Sequence, residues 1–207
     1  MIIKKFTISE MWTNCYVGLN EETKECFLVD PSTYDEGVAS YIKEEGLTLK
    51  AILVTHGHYD HVCGIDGFIK DNPVPVYAHE EEQQVLTDPS KNLSSRFGKP
   101  YAFHDAELVK DGQILDVAGF KVKVLHTPGH TCGGCCYYIE DEEVLFCGDT
   151  VFYRSIGRTD FPTGDYAQLI KSAKEKIMTL PRDVKMYPGH MEETMVKYEA
   201  CYNTFLY

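Results

Sequence analysis

The segment Thr55-His56-Gly57-His58-Tyr59-Asp60-His61 places three imidazoles and one carboxylate within six residues, directly behind the apolar run Ala51-Ile52-Leu53-Val54. No other stretch limits the fold so strongly. A buried strand ends where the apolar run ends, and the turn that leaves it aims alternate side chains at one point, because a regular strand would send neighbours to opposite faces. A divalent transition metal takes neutral imidazole nitrogens and carboxylate oxygens converging from several directions. A lone histidine is ordinarily a solvated or hydrogen-bonded group. Four coordinating groups packed this tightly repel one another or stay unsatisfied without a cation, so H-x-H-x-D-H predicts a metal site at a strand end.

Three further strand-like runs end in the same way. Phe120-Lys121-Val122-Lys123-Val124-Leu125 alternates with period two and leads to the turn Thr127-Pro128-Gly129-His130. Val144-Leu145-Phe146-Cys147 is a short apolar strand followed by Gly148-Asp149, and Val184-Lys185-Met186-Tyr187 runs into Pro188-Gly189-His190. Taken singly, each turn is commonplace. Their joint recurrence behind four strands makes the pattern specific.

The order H-x-H-x-D-H, then His, Asp and His resembles the metallo-β-lactamase fold superfamily over nearly the whole chain. The resemblance implies an α/β (α+β) fold, a four-layer αββα sandwich of two facing β-sheets with helices outside and the metals in a cleft along one edge. It implies that His56, His58 and His130 hold one metal, that Asp60, His61 and His190 hold a second, and that Asp149 bridges them. Two divalent cations, zinc first with iron or manganese as alternatives, are then the expected cofactors. Asp30 resembles the strand-end aspartate that orients a ligand histidine from behind. The β-lactamases proper tend to lack the bridging aspartate. The stretch Gly148-Asp149-Thr150-Val151-Phe152, continued by Ile156-Gly157-Arg158-Thr159-Asp160-Phe161-Pro162-Thr163-Gly164-Asp165, looks most like the single-domain, glyoxalase II-like hydrolases of bacteria, although persulfide dioxygenases carry similar Gly-Arg-Thr-Asp segments.

On this resemblance the chain is expected to be a metal-dependent hydrolase that cleaves a small thioester, such as S-lactoylglutathione, with a metal-bound hydroxide; the alternative is an iron-dependent persulfide dioxygenase. Asp60 is the expected catalytic group, orienting the hydroxide or holding the proton in transit. Tyr153, Arg154 and Arg158 follow the bridging aspartate and are the candidates for substrate binding, where a cationic side chain would hold a carboxylate. Arg158 has a second reading, as a structural fork paired with Asp160 or Asp165.

Composition narrows the setting. With 207 residues, 43% hydrophobic and 25% charged, the chain has material for one globular domain spanning 1–207. The beginning Met1-Ile2-Ile3-Lys4-Lys5-Phe6 reads as a strand rather than a signal peptide, so a cytoplasmic location is expected. A net charge of −12 disfavours nucleic acid and anionic membranes as partners, because both need a basic footprint, and leaves a small-molecule substrate. The eight cysteines are then reduced thiols. Cys135 and Cys136 are expected to open a strand, and Cys132, two residues beyond His130, is expected to line the cleft. Of the other histidines, His79 reads as a helix-start or supporting group, while His126 and His104 are not assigned as ligands. Helices are expected over Tyr34–Gly46, Asp66–Asp71, Glu80–Leu86 and Tyr166–Thr179, the last capped by Asp165 with Leu169, Ile170, Ala173 and Ile177 on one face.

Overall fold

The computed structural model describes residues 1–97 and 99–207. Six strands form the first sheet in chain order: β1 (Ile2–Ile8), β2 (Thr13–Leu19), β3 (Glu25–Val29), β4 (Thr48–Leu53), β5 (Val76–His79) and β6 (Glu107–Val109). The first three pair antiparallel and the rest parallel. Parallel neighbours need crossovers, and short helices supply them: α1 (Glu36–Glu44), α2 (Tyr59–Val62), α3 (Ile65–Ile69), α4 (Gln83–Leu86) and α5 (Ser94–Phe97). Next in the chain come β7 (Ile114–Val117), β8 (Phe120–His126), β9 (Cys135–Ile139), β10 (Val144–Gly148), the two-stranded ribbon β11 (Val151–Phe152) and β12 (Ser155–Ile156), α6 (Tyr166–Ser172), β13 (Lys185–Pro188), β14 (Thr194–Met195) and α7 (Val196–Tyr202). The second sheet has the order β14-β13-β10-β9-β8-β7, with β10 and β13 parallel.

Burial sorts these elements into four layers. Phe27, Val29, Ala51 and Leu53 of the first sheet and Val122, Val124, Tyr137 and Phe146 of the second share one core between the sheets. A second cluster packs Val38, Val62, Ile65 and Phe68 from the helices on the outer face of the first sheet. A third sets Ala173, Ile177 and Val196 on the outer face of the second. This is the αββα sandwich expected from sequence. Strands covered on both faces read as continuous apolar runs, and β9 and β10 are buried throughout, whereas β8, nearer the edge, exposes Lys121 and Lys123.

Local signals explain the element ends. Asp35 caps α1 by accepting from the Val38 N–H at 3.0 Å, and Asp165 caps α6 by accepting from the Gln168 N–H at 2.9 Å. The helix expected over Tyr166–Thr179 is α-helical only to Ser172 and continues as one π turn over Ala173–Ile177. Leu169, Ala173 and Ile177 are buried, whereas Ile170 is only half-buried. Glu80–Leu86 likewise begins as a 3₁₀ turn, Glu80–Glu82, before α4.

At one end of the sandwich the two sheets are stitched together by polar bonds. The Cys135 N–H donates to the Thr55 carbonyl at 2.8 Å and the Tyr137 hydroxyl to the Val54 carbonyl at 3.0 Å. On the other side the Asn14 N–H donates to the Gly189 carbonyl at 2.7 Å, and the Tyr16 hydroxyl to the Pro188 carbonyl at 2.7 Å. Buried backbone groups released by ending strands must find partners. Here they find them across the sheets, and so the four strand ends keep a fixed spacing.

Candidate metal centre

All seven residues named as ligands from sequence meet at this end. His56 and His58 lie on the turn behind β4, and Asp60 and His61 on the short α2 that follows. His130 follows β8, and Asp149 and His190 follow the parallel neighbours β10 and β13. The close approach needs glycine at two points. Gly148 has φ +46, a left-handed conformation that non-glycine side chains rarely adopt, and a Cβ on Gly189 would fall on the Asp149 carboxylate.

His56, His58 and His130 form a buried trio. His58 Nδ1 stands 2.9 Å from His130 Nε2, which stands 3.2 Å from His56 Nε2. Ring nitrogens at such separations cannot all satisfy one another, since each neutral imidazole has one lone pair and one N–H. Three nitrogens each bound to a tetrahedral zinc at about 2.0–2.1 Å would lie roughly 3.3 Å apart, close to what is seen. Burial, reinforced by the neighbouring imidazoles, holds the pKa of His56 and His58 well below the ordinary histidine value. The trio is therefore neutral, the form a cation binds.

Asp60, His61 and His190 form the second group. His61 Nε2 is 3.4 Å from His190 Nε2, and Asp60 Oδ2 is 3.6 Å from the first and 3.4 Å from the second. Asp149 reaches both groups: Oδ2 is 3.5 Å from His130 Nε2 and from His190 Nε2, and Oδ1 is 3.6 Å from His61 Nε2. Asp149 Oδ1 and His58 Nε2 are buried atoms without a hydrogen-bond partner. Burial opposes charge on His61, yet Asp60, Asp149 and Asp30 outweigh it and push its pKa up to about 10. Burial would also raise Asp60, but His61 and His190 hold it well below the usual carboxylate range. Carboxylates thus concentrate enough negative potential to retain a proton, and a divalent cation is the natural competitor for it. The donor set fits two divalent cations, one per group with Asp149 between.

Supporting contacts fix the ring orientations. Asp30 Oδ2 faces His61 Nδ1 at 3.0 Å while accepting from the Thr55 hydroxyl at 2.6 Å, and Oδ1 accepts from the Thr55 N–H at 2.8 Å. Asp30 itself has φ +51. His130 Nδ1 faces the Arg158 carbonyl at 2.7 Å, leaving Nε2 for the trio, and Asp60 accepts from the Thr13 hydroxyl at 3.0 Å.

The support that sequence reading missed is Glu82, which is wholly buried. Its Oε1 accepts from the Gly57 N–H, between His56 and His58, at 2.7 Å. Its Oε2 accepts from the Thr131 hydroxyl and the Gly133 N–H, each at 2.8 Å, on the loop carrying His130. One carboxyl ties two ligand-bearing loops together. Burial nonetheless outweighs these donors and pushes its pKa up to about 7. Nothing in Glu80-Glu81-Glu82 announces this, because an acidic run ordinarily reads as a solvated face.

The cleft above the two groups has a volume of about 280 Å³ and is lined by Met11, Tyr59, Phe97, Phe152, Phe161 and Arg158 above the histidines and aspartates. Of the three substrate-binding candidates only Arg158 belongs to it. Tyr153 stacks on Tyr198 and shares a hydrogen bond of 2.7 Å with its hydroxyl, and the Arg154 backbone N–H donates to Glu199; neither lines the cleft. Arg158 forks onto Asp160, with Nε and Nη2 donating at 3.0 and 2.7 Å, while Asp165 is used in the α6 cap. Cys132 is not a cleft residue either. Its thiol donates to the Glu81 carbonyl at 3.3 Å, on the side where His79 and His126 stack with ring centroids 3.8 Å apart. That stacked pair is separate from the seven-residue centre.

Comparison with known proteins agrees with this geometry. The sequence model of the metallo-beta-lactamase superfamily matches residues 11–190. The hydroxyacylglutathione hydrolase GloC of Haemophilus influenzae is 34% identical over 209 residues, covering 100% of this chain and 98% of that protein. The crystal structure of BLEG-1, a B3 metallo-beta-lactamase, superposes with a TM-score of 0.93 at 38% identity, covering 99% of each chain. That of TTHA1623 in a di-iron-bound form gives 0.87 at 29% identity, covering 98% of this chain and 100% of the other.

Proposed function

The chain belongs to the metallo-beta-lactamase superfamily, and from that membership together with the seven-residue centre we propose that it is a metal-dependent hydrolase that cleaves a small thioester. The observation that carries the reading is the position of Asp149, within 3.6 Å of nitrogens from both donor groups. One carboxylate placed so serves a two-cation floor. His56, His58 and His130 would hold one cation, Asp60, His61 and His190 the other, with Asp149 between them. Bound divalent cations lower the pKa of water toward neutrality and polarise a carbonyl oxygen. Zinc is the first candidate on the donor set; the di-iron form of TTHA1623 keeps iron in view for a relative of this similarity.

The chain's own residues do the rest. Asp60, kept ionised by His61 and His190 and braced by the Thr13 hydroxyl, serves as a hydrogen-bond acceptor rather than a proton donor, and so would orient an attacking water. Asp30 and the Arg158 carbonyl hold His61 and His130 in one ring orientation, and Glu82 ties the loop of His56 and His58 to that of His130. With the imidazoles taken up by the cations and the carboxylates ionised, the described floor residues would offer acceptors rather than a free acid. A thiolate leaves without being protonated, which favours a thioester, whereas an amine leaving group needs a proton. Cleavage of a cyclic amide is the second reading, favoured by the likeness to BLEG-1.

The test is anaerobic turnover of S-lactoylglutathione and simpler thioesters, with nitrocefin as the cyclic amide and dissolved oxygen followed in a parallel aerobic run. Thioester cleavage without oxygen uptake is expected. Oxygen consumption with glutathione persulfide and no thioester cleavage would overturn the reading.

A further inference from the structure

The walls of the cleft have a chemistry opposite to that of its floor. Tyr59 and Phe97 stack with centroids 5.6 Å apart and planes 14° apart, and Phe97 is 54% exposed. Phe161 meets His58 edge-on at 5.7 Å, and Phe152 meets His190 at 5.9 Å. Met11, 44% exposed, completes an apolar rim. Exposed aromatic side chains gathered around a concave site mark the part of the surface a ligand covers.

On these walls, as distinct from the floor, a negatively charged group has little to meet. Among the described lining residues Arg158 is the one lysine or arginine. Both of its engaged nitrogens donate to Asp160, and its guanidinium lies 4.2 Å above the Phe161 ring. An incoming carboxylate would have to share the guanidinium with Asp160, whose two oxygens already take Nε and Nη2 at an exposed rim. At about 280 Å³ the cleft is also at the small end of ligand sites.

Building on the hydrolase reading, we propose that the cleft selects substrates whose acyl group is uncharged and apolar, an aryl or short alkyl group seated against Phe161 and the Tyr59–Phe97 pair, and that Asp160 withholds Arg158 from anionic substrates. Phe161 is the principal specificity-determining residue, because its ring meets both a candidate ligand histidine and the Arg158 guanidinium. Its ring is positioned to cover an acyl group lying beside His58.

The experiment compares phenylacetyl- and succinyl-N-acetylcysteamine, which share a neutral thiol and differ in the charge of the acyl group. The metal-loaded protein is expected to turn over the phenylacetyl thioester with a kcat/KM at least tenfold higher, a discrimination of the size a hydrophobic pocket supplies. Phe161→Ala should lower that value roughly tenfold, mainly through KM, with metal content unchanged. Asp160→Asn should shift the ratio of the succinyl to the phenylacetyl kcat/KM about two- to fivefold toward the succinyl thioester, the scale of an exposed ion pair. Equal or reversed preference in the native protein, or a ratio indifferent to Asp160→Asn, would overturn the proposal while leaving the hydrolase reading intact. Cleavage of neither thioester would overturn the hydrolase reading and this proposal with it.

Discussion

The floor and the rim of the cleft are built to different standards. On the floor His56 and His61 are essentially inaccessible, and Asp30, Thr13, Glu82 and the Arg158 carbonyl each restrain a ligand side chain or its loop. At the rim, Arg158 and Asp160 have side chains 64% and 65% exposed, and Phe97 stands half in solvent. Positions that must converge within a few tenths of an ångström are restrained from behind, whereas positions that only cover apolar surface tolerate looseness. Chemistry and selection are therefore separable, and substitutions should divide accordingly.

The largest effects should come from the floor. His58→Ala and Asp149→Ala are expected to abolish turnover, a loss well beyond about a hundredfold, and to lower metal content, while the chain still folds because the three hydrophobic clusters are built from residues other than the ligands. Circular dichroism and metal analysis of the two variants check this. Near-native turnover by Asp149→Ala would remove the bridging role.

Glu82 tests whether support from behind matters as much as the ligands. Glu82→Gln replaces one acceptor oxygen with a donor facing N–H or O–H groups, and metal affinity should fall roughly 10–100-fold, as for other groups that orient ligands. Metal titration against a competing chelator measures it. The same variant carries a pH signature. A pKa raised by folding, here from 4.5 to about 7, contributes stability that is complete below about 4.5 and lost as pH rises through about 7. Between those limits the metal-free protein should lose up to about 3 kcal/mol that the Gln variant does not lose. Parallel denaturation curves in that window would reveal the difference, and identical pH profiles would show that Glu82 does not titrate there.

The smallest effects belong to the rim. Arg158→Ala removes an exposed fork but not the Arg158 carbonyl that faces His130, so metal content should be unchanged and the melting temperature should move by at most a few degrees. A collapse of metal binding in this variant would break the division between floor and rim.

Floor and rim differ in the same way in how far the amino-acid sequence discloses them. The floor is legible because its ligands sit in one contiguous motif and in turns directly behind apolar runs, where strand periodicity constrains what comes next. Asp165 announces its helix for a similarly local reason. Glu82 is illegible because only the docking of α4 between two loops buries the third glutamate of an acidic run. The Arg158 carbonyl carries no side-chain signature at all. Tyr153 and Arg154 stand outside the cleft lining because proximity to Asp149 in sequence does not survive the reversal of the β11–β12 ribbon, and Cys132 because the loop behind His130 turns toward Glu81. The rim aromatics lie far apart in the chain, from Tyr59 to Phe161, and nothing short of the fold gathers them with Met11.

Stepwise metal loading tests the central claim most directly. Metal-free protein titrated with zinc or manganese, with thioester hydrolysis followed anaerobically in the same cuvette, should gain activity until two equivalents are bound, and a third should add nothing. Full activity at one equivalent, unchanged by a second and retained in His190→Ala, would contradict a two-cation floor.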